Sequence, residues 1–296
     1  MRFWIAPLAM VTLAALAHAN QLDDNYAALK TAQAAKDADT VMKLAPETSK
    51  LARGEAALPQ PTDASQVADW KQRVEFAKDV DAFTEYALAT TASTSTDQAK
   101  TIAMVDMLLA QNGKTTYLSV CASAYLEALG KKSSKEQAAG AQNILKVNPN
   151  NEDALYVLGV TGQNPTYAMR LVTVMKAKGK PEGVTEADWE KRKNMMLGQG
   201  YYVSGAMACS KSTWTDCDKD LRAAIQFVGK DPQIAGNLYF YLGLANYNLG
   251  KLTGDRSKIQ EGEKFSEQSA ALAGPMQQQA LRNVNAMKQE LAAPRR

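Results

Sequence analysis

Apolar residues in this chain recur three and four positions apart over long stretches, the spacing that gathers them on one face of a helix. Between Asp97 and Asn112, for example, Ile102, Val105 and Leu109 form such a stripe, with Asp97 placed to cap the helix and Asn112-Gly113 to end it. No run alternates Val, Ile, Thr and aromatic residues with polar ones, so no strand is predicted. A long helix is expected from about Ala64 to Thr91, where the Ser/Thr cluster up to Thr96 interrupts it. Further helices are expected near Thr115 to Leu129, Ser134 to Val147, Glu152 to Thr161, Pro165 to Ala177, Glu186 to Cys209, Thr215 to Val228, Pro232 to Leu249, Ser257 to Ala273 and Pro275 to Leu291. Gly130, Asn148-Pro149-Asn150, Lys178-Gly179-Lys180-Pro181, Gly250 and Gly274 read as the stops between them. Residues 23–53 read as one helical hairpin, turning at Asp37 and Asp39, with Pro46 expected to kink or break its second helix. Gly54, Pro59 and Pro61 mark a connection over residues 54–62.

Residues 1–19 follow a different pattern. Arg2 is a short basic region, Phe3 to Ala17 is apolar, and Ala17-His18-Ala19 has the small-x-small form of a cleavage site. The apolar stretch contains Pro7 and falls short of the roughly 20 residues a membrane-spanning helix needs. The pattern predicts a removable export signal, a mature chain starting at Asn20, and a periplasmic or secreted location. No Cys follows the small residues, so no lipid anchor is indicated, and the later run Ile102 to Ala110 is interrupted by Asp106. No integral membrane segment is expected once the signal is removed.

Composition then narrows the chemistry. His18 is the only histidine, and it lies in the segment expected to be removed. Without histidine the mature chain lacks the commonest general base, the commonest metal ligand and every Ser-His or Cys-His nucleophile pair. The balance of 34 basic against 31 acidic residues gives a net charge of +3, with the basic residues scattered, so neither nucleic acid nor an anionic membrane surface is suggested as a partner. Three cysteines enter a compartment where disulfides persist. Cys209 and Cys217 are the natural pair. Cys121 is left as either a small buried side chain or a thiol that pairs between chains; Val120, Ala122 and Ala124 around it favour the buried reading.

The helical stretches repeat at a period near 34 residues. In Val147-Asn148-Pro149-Asn150-Asn151-Glu152-Asp153-Ala154-Leu155-Tyr156-Val157-Leu158-Gly159, a Pro-Asn-Asn turn leads into Ala-Leu-x-x-Leu-Gly. In Tyr239-Phe240-Tyr241-Leu242-Gly243-Leu244-Ala245-Asn246-Tyr247-Asn248-Leu249-Gly250-Lys251, an aromatic-x-x-Leu-Gly core ends in Gly-Lys. Tyr201, Gly205 and Ala208, with Trp214, Cys217, Leu221 and Ala224 on the next helix, form a weaker third copy. These features resemble the tetratricopeptide repeat family over about Ala64 to Ala273, most densely from Asn148 onward. Residues 181–189 also resemble a connector found in exported bacterial proteins of that type. The hairpins before Lys146 have degenerate motifs, and Leu252 to Arg256 would lengthen one turn.

The resemblance implies an all-α fold, a right-handed superhelical array of antiparallel hairpins, or α-solenoid. Residues 20–63 would form an N-terminal hairpin and linker, and residues 64–296 the repeat domain with a capping helix after Pro275. It implies that Gly159, Gly205 and Gly243 are positions where helix axes approach closely. It also implies that Cys217, standing where the family has a small Ala, bridges to Cys209 across the hairpin turn. Core packing is the first reading of the aromatic residues. The resemblance implies in addition that Tyr156, Tyr202, Phe240 and Tyr247 line a concave surface for an extended peptide or helix, and their character there would favour a hydrophobic segment. The basic clamp that grips a C-terminal carboxylate in chaperone-binding relatives is replaced here by Tyr and Phe.

Motifs for other chemistry are incomplete. Gly113-Lys114-Thr115 mimics the end of a phosphate loop, but Leu108 stands in place of its first Gly. Gly198-Gln199-Gly200 is followed by Val203 where a dinucleotide fingerprint needs Gly or Ala. Glu186 with Asp188, and Asp216 with Asp218, read as acidic first turns that complement helix dipoles. No catalytic, cofactor or metal residues are therefore assigned. The expected function is a non-catalytic scaffold that binds a protein or peptide; oligomeric state stays open. One alternative is a solute- or glycan-binding component with Trp70, Trp189 and Trp214 as stacking platforms. The other is a hydrolase built on two carboxylates.

Overall fold

The computed structural model describes residues 8–293, with side chains from residue 21 onward. Met1 to Pro7 of the expected export signal lie outside the described residues; the backbone around Ala17-His18-Ala19 is helical. Among the described residues there are helices and no strands. In order they are α1 (Leu8–Ala34), α2 (Ala38–Ala56), α3 (Val67–Thr94), α4 (Gln98–Gln111), α5 (Leu118–Lys132), α6 (Ser134–Val147), α7 (Glu152–Tyr156), α8 (Pro165–Ala177), α9 (Glu186–Ser210), α10 (Trp214–Val228), α11 (Ala235–Thr253), α12 (Arg256–Ala270) and α13 (Gln277–Ala292). A single 3₁₀ turn, Ala64–Gln66, leads into α3, and α7 continues as a π turn over Val157–Thr161.

Side-chain caps set six of the helix starts. Asp37 accepts from the Thr40 backbone N–H at the head of α2, Asp97 from Ala99 and Lys100 at α4, and Ser133 from Glu136 at α6. Asn164 does the same for α8 with Pro165 in its first turn, Thr185 for α9 and Asp255 for α12. Each satisfies a backbone donor that the helix itself leaves unpaired. Two expected stops are instead helical. Gly130 lies within α5 and Gly250 within α11. Packing overrides the weak helix preference of glycine at Gly250, where a methyl group would stand 2.8 Å from the Asp255 carbonyl oxygen. The break after α11 falls at Gly254, whose φ of 70° is left-handed, so the expected loop from Leu252 to Arg256 shrinks to a tight turn. Helix α2 also runs through Pro46 without ending there.

The chain divides into two compact units between Asn151 and Glu152. In the first, α1 packs on α2 and α3, α3 on α2, α4 and α5, and α5 on α6. Leu22, Ala52, Ala77 and Val80 make a shared core there, so α1 and α2 belong with the helices that follow them. In the second, consecutive helices from α7 to α13 pack on one another, and α9 also touches α11, which touches α13. Glycine sets the spacing within these pairs. A methyl group at Gly205 would stand 2.6 Å from Leu221 Cγ on α10, one at Gly243 3.0 Å from the Gly262 carbonyl oxygen on α12, and one at Gly159 2.5 Å from the Ala168 nitrogen on α8. Those three positions are helix crossings too close for a side chain.

Candidate functional site

The second unit contains a cavity of about 530 Å³, a size typical of small-ligand sites. Its floor is one stripe of α9: Gln199, Tyr202, Val203, Ala206, Met207 and Ser210. This spacing of three and four residues puts all six on one helix face. Tyr156 and Val160 enter from the end of α7 and its π turn, Gln163 from the turn before α8, and Ile234 and Tyr241 from α11 and the residue preceding it.

Irregular backbone shapes the α7 side. The Gly162 N–H bonds the Val157 carbonyl five residues back, which widens the last turn and presents Val160 to the cavity. Such π turns recur at functional sites. Gln163 follows with φ of 50°, a left-handed conformation uncommon outside glycine and asparagine, and the Asn164 N–H closes the turn on the Gly159 carbonyl at 2.9 Å.

None of the eleven lining residues carries a charge, in a chain where 22% of residues do. The polar groups are phenol, amide and hydroxyl. The Tyr156 hydroxyl donates to Gln199 Oε1, which leaves the Gln199 amino group for another acceptor. Burial pushes the Tyr156 and Tyr202 hydroxyls above the ordinary phenol value, with the neighbouring Tyr241 adding to the effect at Tyr202. Both therefore act as neutral groups throughout the physiological range.

Several charged side chains elsewhere in this unit pair with one another. Lys178 bonds Glu152 at 2.6 Å and Arg192 bonds Asp153 at 2.8 Å. Burial raises the Asp153 carboxyl, against the opposing pull of Arg192. Arg222 holds Asp218 at 2.9 Å and Glu261 at 2.8 Å.

Behind the cavity wall, Cys209 and Cys217 form a disulfide with their Cα atoms 5.1 Å apart. It ties the last turn of α9 to the first turn of α10, and its sulfurs lie 3.6 and 3.9 Å from the Tyr241 carbonyl oxygen. The link joins the two helices on the side where α11 supplies Tyr241. Cys121 is buried in α5, in the other unit, and burial pushes its thiol up to about 12.

Of the four aromatic residues expected on a concave surface, the cavity unites Tyr156 and Tyr202. Phe240 is buried, with its ring against Tyr241 at 5.5 Å. Tyr247 donates from farther along α11 to Glu290 on α13 at 2.9 Å. Tyr241, Gln163, Met207 and Ser210 were not expected from sequence. Apolar and polar residues are spread around α9, so periodicity does not single out its cavity face, and Tyr241 is separated from Phe240 only by the rotation of a helix whose two faces are both aromatic.

The other candidate motifs lie within helices or at their ends. Trp189 is buried, Trp214 starts α10, and Trp70 lies in the first unit, where its indole donates to the Leu58 carbonyl. Gly198-Gln199-Gly200 lies inside α9, and Gly113-Lys114-Thr115 follows the end of α4. Glu186 and Asp188 occupy the first turn of α9, where Thr185 caps the helix. No helix among the described residues is long and apolar enough to cross a membrane. No protein-family model, curated protein or solved structure matches this chain.

Proposed function

We propose that this chain is an exported, non-catalytic interaction protein that holds a segment of another polypeptide in the cavity bounded by Tyr156, Tyr202 and Tyr241. The observation that carries this reading is the lining itself: five aliphatic side chains beside six that carry neutral hydrogen-bonding groups, three of them tyrosines. Such a surface binds by burial and orients by hydrogen bonds. Its only ionisable side chains are tyrosine phenols, and burial keeps those of Tyr156 and Tyr202 neutral.

The helical hairpins of the second unit are, in this proposal, tetratricopeptide repeats stacked as a right-handed superhelical array. The close crossings at Gly159, Gly205 and Gly243 support that reading, as do the contacts of α9 with α11 and of α11 with α13. Export is supported by the signal pattern of residues 1–19 and by a disulfide, which persists outside the cytosol.

Site-specific photo-crosslinking tests the reading. A photoreactive amino acid replaces Tyr202 in one version of the protein and the exposed Leu252 in another, and each is irradiated in its own envelope extract. A discrete polypeptide adduct is expected from position 202 and not from 252. Equal, diffuse labelling at both positions, or adducts only with saccharide, would count against a polypeptide partner.

A further inference from the structure

The uncharged lining limits what this cavity accepts. Moving a charged group from water into a half-buried site costs several kcal/mol unless an opposite charge meets it there. Here no Lys, Arg, Asp or Glu lines the wall. A free chain terminus brings the same penalty as a charged side chain.

The wall also distinguishes among neutral ligands. Val160, Val203, Ala206, Met207 and Ile234 form an aliphatic surface. A sugar ring, with hydroxyls around its whole edge, would leave polar groups unpaired against that surface. An extended peptide instead alternates apolar side chains with amide groups, and the amides can meet the Gln199 amino group, the Gln163 amide and the tyrosine hydroxyls.

We infer that the cavity takes an internal, uncharged, aliphatic-rich stretch of polypeptide and rejects charged residues and free termini. The inference rests on the polypeptide-binding reading above and specifies its ligand. Discrimination of this kind arises from the absence of a counter-charge for the wrong ligand.

Calorimetric titration of the disulfide-intact protein tests it with three sets of probes. One is a pool of acetylated, amidated pentapeptides of Val, Leu, Ile, Ala, Ser and Gly. The second is the same pool with Asp or Lys at the centre or with a free carboxyl end, and the third is a set of neutral oligosaccharides. The neutral pool is expected to bind, and each charged version to bind at least about tenfold more weakly, a difference of about 1.4 kcal/mol. In Met207→Glu, and independently in Ser210→Glu at an exposed rim position, the Lys-centred pool should gain on the neutral one. Circular dichroism checks that both variants fold.

If neutral and charged peptides bind the native protein within about threefold of each other, the uncharged-ligand inference fails while the polypeptide reading stands. If only oligosaccharides bind, or no peptide binds up to about 1 mM, both fail.

Discussion

At the scale of single residues, the glycines of this chain separate into those that packing requires and those that it does not. At Gly243 a methyl group would press on the Gly262 carbonyl oxygen and the Ser266 nitrogen, backbone atoms of α12 that cannot turn aside. Gly243→Ala should therefore force α11 and α12 apart and cost roughly 1–3 kcal/mol, as overpacking does. Gly54 is helical, exposed and has no atom within 4 Å of an added methyl group. Gly54→Ala should raise stability by about 0.5–1 kcal/mol by reducing the freedom of the unfolded chain. Urea unfolding of the two variants beside the parent checks both signs, and equal effects would refute the distinction. Cys121 gives a second residue-scale test. A thiol pushed up to about 12 by burial is almost entirely protonated near pH 8 and is shielded from reagents. Thiol titration should find no reactive group in the folded protein and one after denaturation without reductant. Rapid labelling of the folded protein would show that α5 opens.

At the scale of elements, the disulfide tests how far α9 and α10 depend on covalent support. It closes a loop of sequence separation 8, for which the loss of unfolded-chain entropy amounts to about 2.5 kcal/mol. The Cys209→Ser, Cys217→Ser double variant should lose about that much stability in urea and should lose peptide affinity as well, because the sulfurs pack against the residue that supplies one cavity wall. A variant that loses stability while retaining affinity would separate the bridge from the site. Element positions were largely legible in the sequence because they depend on local chemistry. Ser134 to Val147 and Pro165 to Ala177 were readable at both ends, since Ser133 and Asn164 cap them and Asn148 and Lys178 follow them. Gly250 misled because a glycine that ends a helix and one that lets another helix approach are the same letter. The choice between them depends on α12, which lies on the far side of the turn. The site was half legible for a related reason. The repeat resemblance pointed to Tyr156 and Tyr202, but the inclusion of Tyr241 and the exclusion of Tyr247 depend on how α11 is rotated against α9 and α13.

At the scale of the whole molecule, the division between Asn151 and Glu152 raises the question of whether the second unit can stand alone. At about 145 residues it falls within the size range of autonomous domains, which bury roughly two thirds of their unfolded surface. Leu155, Leu171, Met175, Leu221 and Leu238 are fully buried and draw on α7, α8, α10 and α11, so its core is distributed along the unit. Polar contacts tie successive helices together. Lys178 and Arg192 hold the start of α7 to α8 and α9. Fully buried Asn246 of α11 donates to Asp218 of α10 at 2.6 Å and accepts from Lys258 of α12 at 3.3 Å, while Tyr247 and Glu290 join α11 to α13. A buried amide satisfied on both sides fixes one register of neighbouring helices, since any slip would strand it without partners. The fragment from Asn148 to Arg296, which keeps the Pro149 turn ahead of α7, should therefore fold with its disulfide formed, give a helical circular dichroism spectrum and unfold cooperatively. Because cavity residues Tyr156 to Tyr241 all lie within it, the fragment should also bind the neutral peptide pool as tightly as the full chain. A fragment that is helical but melts without a cooperative transition would mean that residues before Asn148 are needed to complete its core, and the binding site would then belong to the whole molecule.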